Sequence, residues 1–477
     1  MFLTPGGHKP NLIFIAIDDL NDWIEPLGGY PGVKTPSLTH LAETGALCTA
    51  AQVAAPACSP SRAATLLGIS PHRSGIYFNS QNWDDSPLSE HNETLIGHLR
   101  ANGFKTYGCG KVFHRWESRL RKSDWDEYYL PPGYMDSIKN RNVTISEMAR
   151  RRQNRSGRDG GEDFGPSPSG AIGDTEVTDW ALAKLREPAW RDGGNVLAMG
   201  LYRPHLPFAV NKRYYEMYPE VPAMPPGFYP DSGTWLDNER DLADLPPTGV
   251  SLGSKRLGRN LEQAGEYDAF LRGYLASISF ADFQIGRVLN NYERLGLADN
   301  TYIVFWSDHG WQLGEKLKFK KFTLWERALK VPLFFAGPGI EAGKKVHEPV
   351  SLLSVYPTVC DLLGVPVPAH CDGVSLAQQL FGQANGRLPP VISFWGNEEL
   401  GDDFECYMSV RTADWRFIDY RNGDVELYDH RTDRFEWYNL ANPPRGVEVN
   451  TTIDMMRRYL PTTLASPAIP KGRRRAS

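Results

Sequence analysis

Asn11-Leu-Ile-Phe-Ile-Ala-Ile17-Asp18-Asp19 is an unbroken apolar run that empties into two adjacent carboxylates. The run does not alternate. Continuous apolar character marks a strand covered on both faces, as at the centre of a largely parallel sheet. Two neighbouring carboxylates cannot be buried without a compensating cation, although a lone Asp-Asp also suits a solvated turn. A second run of this kind, Thr301-Tyr-Ile-Val-Phe-Trp-Ser307, ends in Asp308-His309-Gly310. Two buried strands that each end in metal-type ligands are hard to explain as turns. They place a site beyond the carboxyl ends of the strands of an open α/β sheet.

Between these runs, Thr94 to Asn102 reads as a helix stopped by Gly103, and Lys105 to Tyr107 as a short strand. Leu271, Tyr274, Leu275, Ile278, Ile285, Val288 and Leu289 recur at helical spacing and predict a long amphipathic helix on the sheet. Arg151 to Gly170 and Pro219 to Gly253 read as surface spans, rich in Gly and Pro. Beyond Asp372 to Leu376 the pattern changes. Val391 to Phe394 is strand-like, Asn422-Gly423 is a hairpin turn between Arg416–Tyr420 and Glu426–Tyr428, and Thr452 to Tyr459 suits a helix. The expected fold is therefore α/β: a large, mostly parallel sheet sandwiched by helices over residues 1–375. A smaller unit with an antiparallel sheet and a helix follows over residues 376–477.

Composition narrows the function classes. The chain has 477 residues and a formal net charge of −5, so nothing global recruits nucleic acid. The basic tail from Lys471 to Arg475 reads as a frayed end. No apolar run approaches the roughly 20 residues needed to cross a bilayer, and Met1 to Pro10 lacks a signal-peptide apolar region. A cytoplasmic location is the expectation, with no membrane partner and a homo-oligomer left open. Six cysteines without CxxC spacing exclude a disulfide scaffold and a zinc finger.

The stretch Pro56-Ala-Cys58-Ser-Pro60-Ser-Arg62-Ala-Ala-Thr-Leu-Leu-Gly68 carries the chemistry. Pro60 suits the first turn of a helix. Cys58 then stands at the helix amino end, where free N–H groups and the dipole favour an anion, and Arg62 one turn along can point back to it. By itself a lone cysteine is more often a small buried hydrophobe than a nucleophile.

Cys58-x-Pro60-x-Arg62 with Ser61 resembles the signature of the type I sulfatases of the alkaline phosphatase superfamily. Asp18-Asp19, Gly110-Lys111-Val-Phe-His114, Arg203-Pro204-His205-Leu-Pro207 and Ser307-Asp308-His309-Gly310 through Lys321 follow in that family's order. The Lys111/His114 pair and the His205 segment resemble the iduronate-2-sulfatase-like branch. Glu426-Leu-Tyr-Asp429 through Asn439-Leu-Ala441 resembles the family's closing hairpin and strand.

The resemblance implies an alkaline-phosphatase-like sheet and a sulfuric ester hydrolase. It implies that a formylglycine-generating enzyme oxidises Cys58 to formylglycine, and that Asp18, Asp19, Asp308 and His309, together with the modified Cys58, hold one divalent cation. Three carboxylates suit a hard ion, so calcium is expected, with magnesium or manganese as alternatives. A hydroxyl of the hydrated aldehyde would attack sulfur. Arg62, Lys111 and Lys321 would offset charge on the sulfuryl oxygens. His205 would protonate the leaving oxygen, and His114 would deprotonate the second hydroxyl so that sulfate is expelled.

Of the lysines at 316, 318, 320 and 321, only Lys321 is expected at the site and the rest in solvent. Asp22 and Glu315 are expected behind the site or on the surface. Arg115, Trp116, Arg203, Trp311 and Trp395 are expected to contact the group beyond the ester oxygen. The substrate expected is a small molecule, a short sulfated saccharide or another organic sulfate. The alternative is a phosphonate or phosphate monoester cleaved by the same groups, since sulfuryl and phosphoryl groups are both tetrahedral.

Overall fold

In the computed structural model, residues 9–114, 121–132, 134, 164–167, 172–220, 224–253, 255–383, 386–396, 404–443 and 445–470 are described. The large sheet is built from β1 (Asn11–Asp18), β2 (Ala46–Gln52), β3 (Lys105–Gly110), β4 (Glu127–Tyr129), β5 (Asn195–Pro204), β6 (Thr301–Ser307), β7 (Lys330–Ala336), β8 (Lys344–Val346) and β9 (Val350–Ser351). Their order is β8-β2-β7-β6-β1-β5-β3-β4, with β9 also on β2.

Every residue of β1 is buried, because it lies between parallel neighbours β5 and β6 and under helices. This is the physical origin of its unbroken apolar run. β7 runs antiparallel to both β6 and β2, so the sheet is mixed but mostly parallel.

Helices α1 (Pro36–Thr44), α2 (Cys58–Leu67), α3 (Leu95–Ala101), α4 (Ile172–Leu185), α5 (Tyr267–Arg294), α6 (Glu326–Leu329) and α7 (Val355–Leu363) flank the sheet. All seven apolar residues predicted on α5 are buried. Burying each such side chain contributes about 1.5–3 kcal/mol, and α5 packs on α1, α4 and β5. The Thr94 hydroxyl caps α3 by accepting from Gly97 N at 3.0 Å, the local reason that helix starts where the sequence predicts. The other helical group joins α2, α3 and α7.

The C-terminal sheet is antiparallel, β10 (Val391–Gly396), β11 (Cys406–Arg411), β12 (Trp415–Asp419) and β13 (Val425–Asp429) in sequential order. One face, with Trp395, Tyr407 and Ile418, joins the main core. The other, with Val410, Phe417 and Leu427, packs on Ile453 and Met456 of α8 (Val447–Arg457). Leu376 and Leu380, just before this sheet, belong to the main core.

Most of the surface span 151–170 lies outside the described residues. Its end, Phe164–Pro166, is a strand paired parallel with Phe208–Val210.

Candidate active site

The register of the sheet assembles the site. Ile17 of β1 stands opposite Ser307 of β6, so Asp18 and Asp308 emerge side by side, and Asp308 N donates to Ile17 O at 3.1 Å. On the other side of β1, Asp18 pairs with Pro204 of β5, which brings His205 to the same end. β3, next along, ends at Gly110 and delivers Lys111 and His114. Four neighbouring strands thus empty their carboxyl ends into one place. Asp19 is turned there by a left-handed backbone at φ 61°, a conformation Asp tolerates better than most residues.

α2 brings Cys58 to the same place at its first turn, with all ten of its residues buried. The Cys58 sulfur lies 2.9 Å from Lys321 Nζ and 3.2 Å from His309 Nε2. Lys321 Nζ donates to Asp19 Oδ1 at 2.7 Å, and Lys111 Nζ to Asp18 Oδ2. Asp18, Cys58, Asp308 and His309 each offer one ligand atom within 4.8 Å of one another, and Asp19, Cys58 and His205 form an overlapping set.

Electrostatics fit a cation among these groups. Among the described residues, Asp18 Oδ1 and Asp19 Oδ2 are buried oxygens without a hydrogen-bond partner. Such orphans are costly unless a cation meets them. His309 Nδ1 faces Gly310 O at 2.9 Å, so Nδ1 holds the proton and the Nε2 lone pair points into the cluster. Burial also lowers His309 well below the usual histidine range, which keeps it neutral.

Burial pushes Asp19 up to about 7 against Lys321, and Asp308 up to about 6 against Arg62. Burial would raise Asp18 too, but Lys111, His205 and Arg62 hold it well below the carboxylate range. The Cys58 thiol is pushed up to about 12 by burial despite Lys321. An unmodified thiol there is a poor nucleophile at neutral pH, since the thiolate is the reactive form.

Arg62 is held entirely by protein acceptors. Its Nε donates to Asp308 Oδ2 at 2.8 Å, and its other nitrogens donate to the carbonyls of Ile17, Lys111 and Val112. The guanidinium therefore fixes Asp308 and the ends of β1 and β3, with a further nitrogen 3.5 Å from Asp18 Oδ1. Its side chain is 1% exposed, and the fork geometry matches this web of acceptors.

His205 is the more open group, with side-chain exposure of 24%. Its Nε2 is 3.7 Å from Asp19 Oδ2, and its Nδ1 is 2.6 Å from Leu206 O. His114 is half-buried, and its Nδ1 has no hydrogen-bond partner among the described residues. Burial lowers both histidines well below their usual range.

One expectation fails for a reason of packing. Lys316 is not solvated but donates to Asp241 at 2.7 Å and to Glu436 O at 2.6 Å. Of the residues expected to contact the rest of the substrate, Arg203, Trp311 and Trp395 are all buried: Arg203 beside Asp174, Trp311 with its ring 5.5 Å from Lys321 Nζ, and Trp395 stacked on Phe322 at 5.1 Å. Arg115 and Trp116 lie outside the described residues.

Sequence reasoning missed Tyr202, whose ring receives Lys111 Nζ at 4.9 Å and packs on His205 at 4.6 Å. It also missed Asn21, which donates to Trp311 O at 2.9 Å and ties the two ligand loops. Proximity to His205 and to Asp19 in the chain was the one signal for either.

A buried cysteine at a helix start, neutral imidazole and three carboxylates, two of them with an unsatisfied oxygen, all at the carboxyl edge of this sheet, define a hydrolase of tetrahedral oxyanion esters. The family model described as Sulfatase matches residues 10–365. That described as N-sulphoglucosamine sulphohydrolase, C-terminal, matches residues 314–460. A sulfatase of Formosa agariphila is 32% identical, over 96% of this chain and 87% of its own. Iduronate 2-sulfatase of Mus musculus is 28% identical, over 85% and 84%. The solved phosphonate monoester hydrolase of Agrobacterium radiobacter shares the fold at a TM-score of 0.73 and 20% identity, over 96% of this chain and 97% of that one.

The chain belongs to the formylglycine-dependent sulfatase family, within the alkaline-phosphatase-like superfamily. It is a sulfatase-fold hydrolase with a buried Asp/Cys/His cluster able to coordinate a divalent metal.

Proposed function

We propose that this enzyme hydrolyses the sulfate monoester of a small organic molecule, a short sulfated saccharide by first choice, using formylglycine made from Cys58 and one divalent cation. The observation that carries the reading is the approach of Lys321 and His309 to the Cys58 sulfur, within 3.2 Å, beside carboxylates with orphan oxygens. The likeness to iduronate 2-sulfatase supports a sulfated sugar or uronate. Calcium, a formylglycine-generating enzyme as partner, a cytoplasmic location and division of the chain at 375/376 belong to the same proposal.

Asp18, Asp19, Asp308 and His309 would hold the cation, with the modified side chain at position 58. The cation would neutralise charge and acidify an oxygen nucleophile, while the hydrated aldehyde supplies two hydroxyls on one carbon, one to attack and one to expel sulfate.

The protein's own groups do the rest. Lys321 and Lys111 present ammonium groups to the anionic ester and hold Asp19 and Asp18 in place. Arg62 locks Asp308. His205, the more exposed histidine, takes up a proton at Nε2 beside the Asp19 carboxylate as the anionic ester enters, and passes it to the leaving oxygen. His114, neutral through burial, accepts a proton from the second hydroxyl. Exclusion of water strengthens each of these charges.

A second reading, phosphonate or phosphate monoester hydrolysis by the same groups, draws support from the fold shared with the phosphonate monoester hydrolase. One leaving group presented as sulfate, phosphate and phosphonate monoesters separates the two. Protein from a host able to modify Cys58 is compared with Cys58→Ala as blank. Sulfate far ahead, and lost in Cys58→Ala, is the expected result; a phosphorus ester ahead overturns the first reading.

A further inference from the structure

The metal-type ligands sit on two loops, residues 18–22 after β1 and residues 308–315 after β6. Arg327, on the single turn α6, reaches both. It donates through NH1 to Asp22 Oδ1, and its Nε lies 2.9 Å from Glu315 Oε1. Exposures of 9%, 15% and 6% for Arg327, Asp22 and Glu315 place this ion triad out of bulk water.

The backbone of the same turn closes on the second loop. Gly310 N donates to Ala328 O at 2.9 Å, and a Cβ at Gly310 would stand 2.1 Å from the Arg327 carbonyl oxygen. The residue after His309 is therefore glycine because α6 presses against it.

The turn itself is held from the opposite side. Glu326 N donates to Glu436 Oε2 at 2.7 Å, and the Glu326 carboxylate pairs with Arg411 and Arg416 of the C-terminal sheet. Arg416 also pairs with Glu436 at 3.0 Å. α6 is thus anchored by the C-terminal sheet and grips both ligand loops.

We infer that Arg327 is a positioning residue for the metal site, clamping the Asp18-Asp19 loop to the Asp308-His309 loop through Asp22 and Glu315. The inference rests on reading the cluster as a divalent-cation site. Removing Arg327 leaves Glu315 without its cation and Asp22 held only by Lys330, 3.4 Å away, so the two buried carboxylates repel each other and push the loops apart. Outer partners that orient metal ligands typically account for 10- to 100-fold in affinity.

The test is calorimetric titration of the metal-free, full-length protein with calcium chloride and with manganese chloride, for wild type, Arg327→Met and Arg327→Lys, alongside the melting temperature of each without metal. We expect the Kd to rise about 10- to 100-fold in Arg327→Met. Arg327→Lys should recover part of this, since one ammonium reaches one carboxylate. A Kd within twofold of wild type in a cooperatively melting Arg327→Met, with only the metal-free melting temperature lowered, overturns the clamp.

If Arg327→Met does not fold, the triple variant Asp22→Asn, Glu315→Gln, Arg327→Met removes the uncompensated charges and is titrated in its place, with the same two outcomes. Wild type that binds neither cation overturns the metal reading itself, and this inference with it.

Discussion

Lys321 Nζ lies 2.9 Å from the Cys58 sulfur although the two residues are 263 positions apart in the chain. The same ammonium meets Asp19 Oδ1 at 2.7 Å, so one cation touches both the residue to be modified and a carboxylate of the metal-type cluster. Asp19 and Cys58 in turn raise Lys321 well above its usual range against the effect of burial, and it stays charged.

Lys321→Met should therefore lower kcat by about 10²- to 10³-fold, the usual loss when one charge-stabilising donor is removed from an active site. Steady-state kinetics on a sulfate monoester checks this, with the modification of position 58 verified by peptide mass. A loss confined to KM would mean that Lys321 only binds substrate.

Arg62→Met should cost about 3–5 kcal/mol of stability, because it leaves the buried Asp308 carboxylate uncompensated. Three carbonyl oxygens lose donors as well. Arg62→Lys should recover only part, since an ammonium cannot reproduce the planar fork. Urea denaturation midpoints measure both, and a cost below about 1 kcal/mol in Arg62→Met would refute the bracing role.

Dialysis against a chelator should abolish turnover and lower the melting temperature, both reversibly. Readdition of a divalent cation at 100 times its Kd should restore about 2.7 kcal/mol by mass action. Asp18→Asn should remove that increment. An increment unchanged in Asp18→Asn would move the cation elsewhere.

Asp282 on α5 accepts from Ser37 N at 3.1 Å and Leu38 N at 2.9 Å, which caps α1 from outside, and burial pushes its carboxyl up to about 6. From about pH 4 to 6 the unfolded chain has lost this proton while the folded one keeps it, so the group's contribution to stability falls as pH rises across that window. Asp282→Asn should flatten the stability profile there. Urea unfolding at pH 4, 5, 6 and 7 reads the slope, and identical slopes in both proteins would refute the assignment.

Much of this was legible along the chain. β1 and β6 announced themselves because a strand covered on both faces must be apolar throughout, and the carboxylates that end it must be outside that cover. Pro60 placed the start of α2, and Asn422-Gly423 the turn between β12 and β13, because these residues restrict the backbone locally. The motif residues Cys58, Lys111, His205, Asp308 and Lys321 were likewise found by type and order.

What an arginine or lysine pairs with could not be read in this way. Arg62 turns to Asp308, Lys316 to Asp241, and Arg327 to Asp22 and Glu315, each partner lying from about a dozen to about 300 residues away. Local periodicity reports whether a side chain is buried but not what it meets there. Sequence alone determined β1 and β6, the helix that carries Cys58, and the residue types gathered at the candidate site. The tertiary structure decided the register that sets Ile17 opposite Ser307, and with it which charges share a dry space and must neutralise one another.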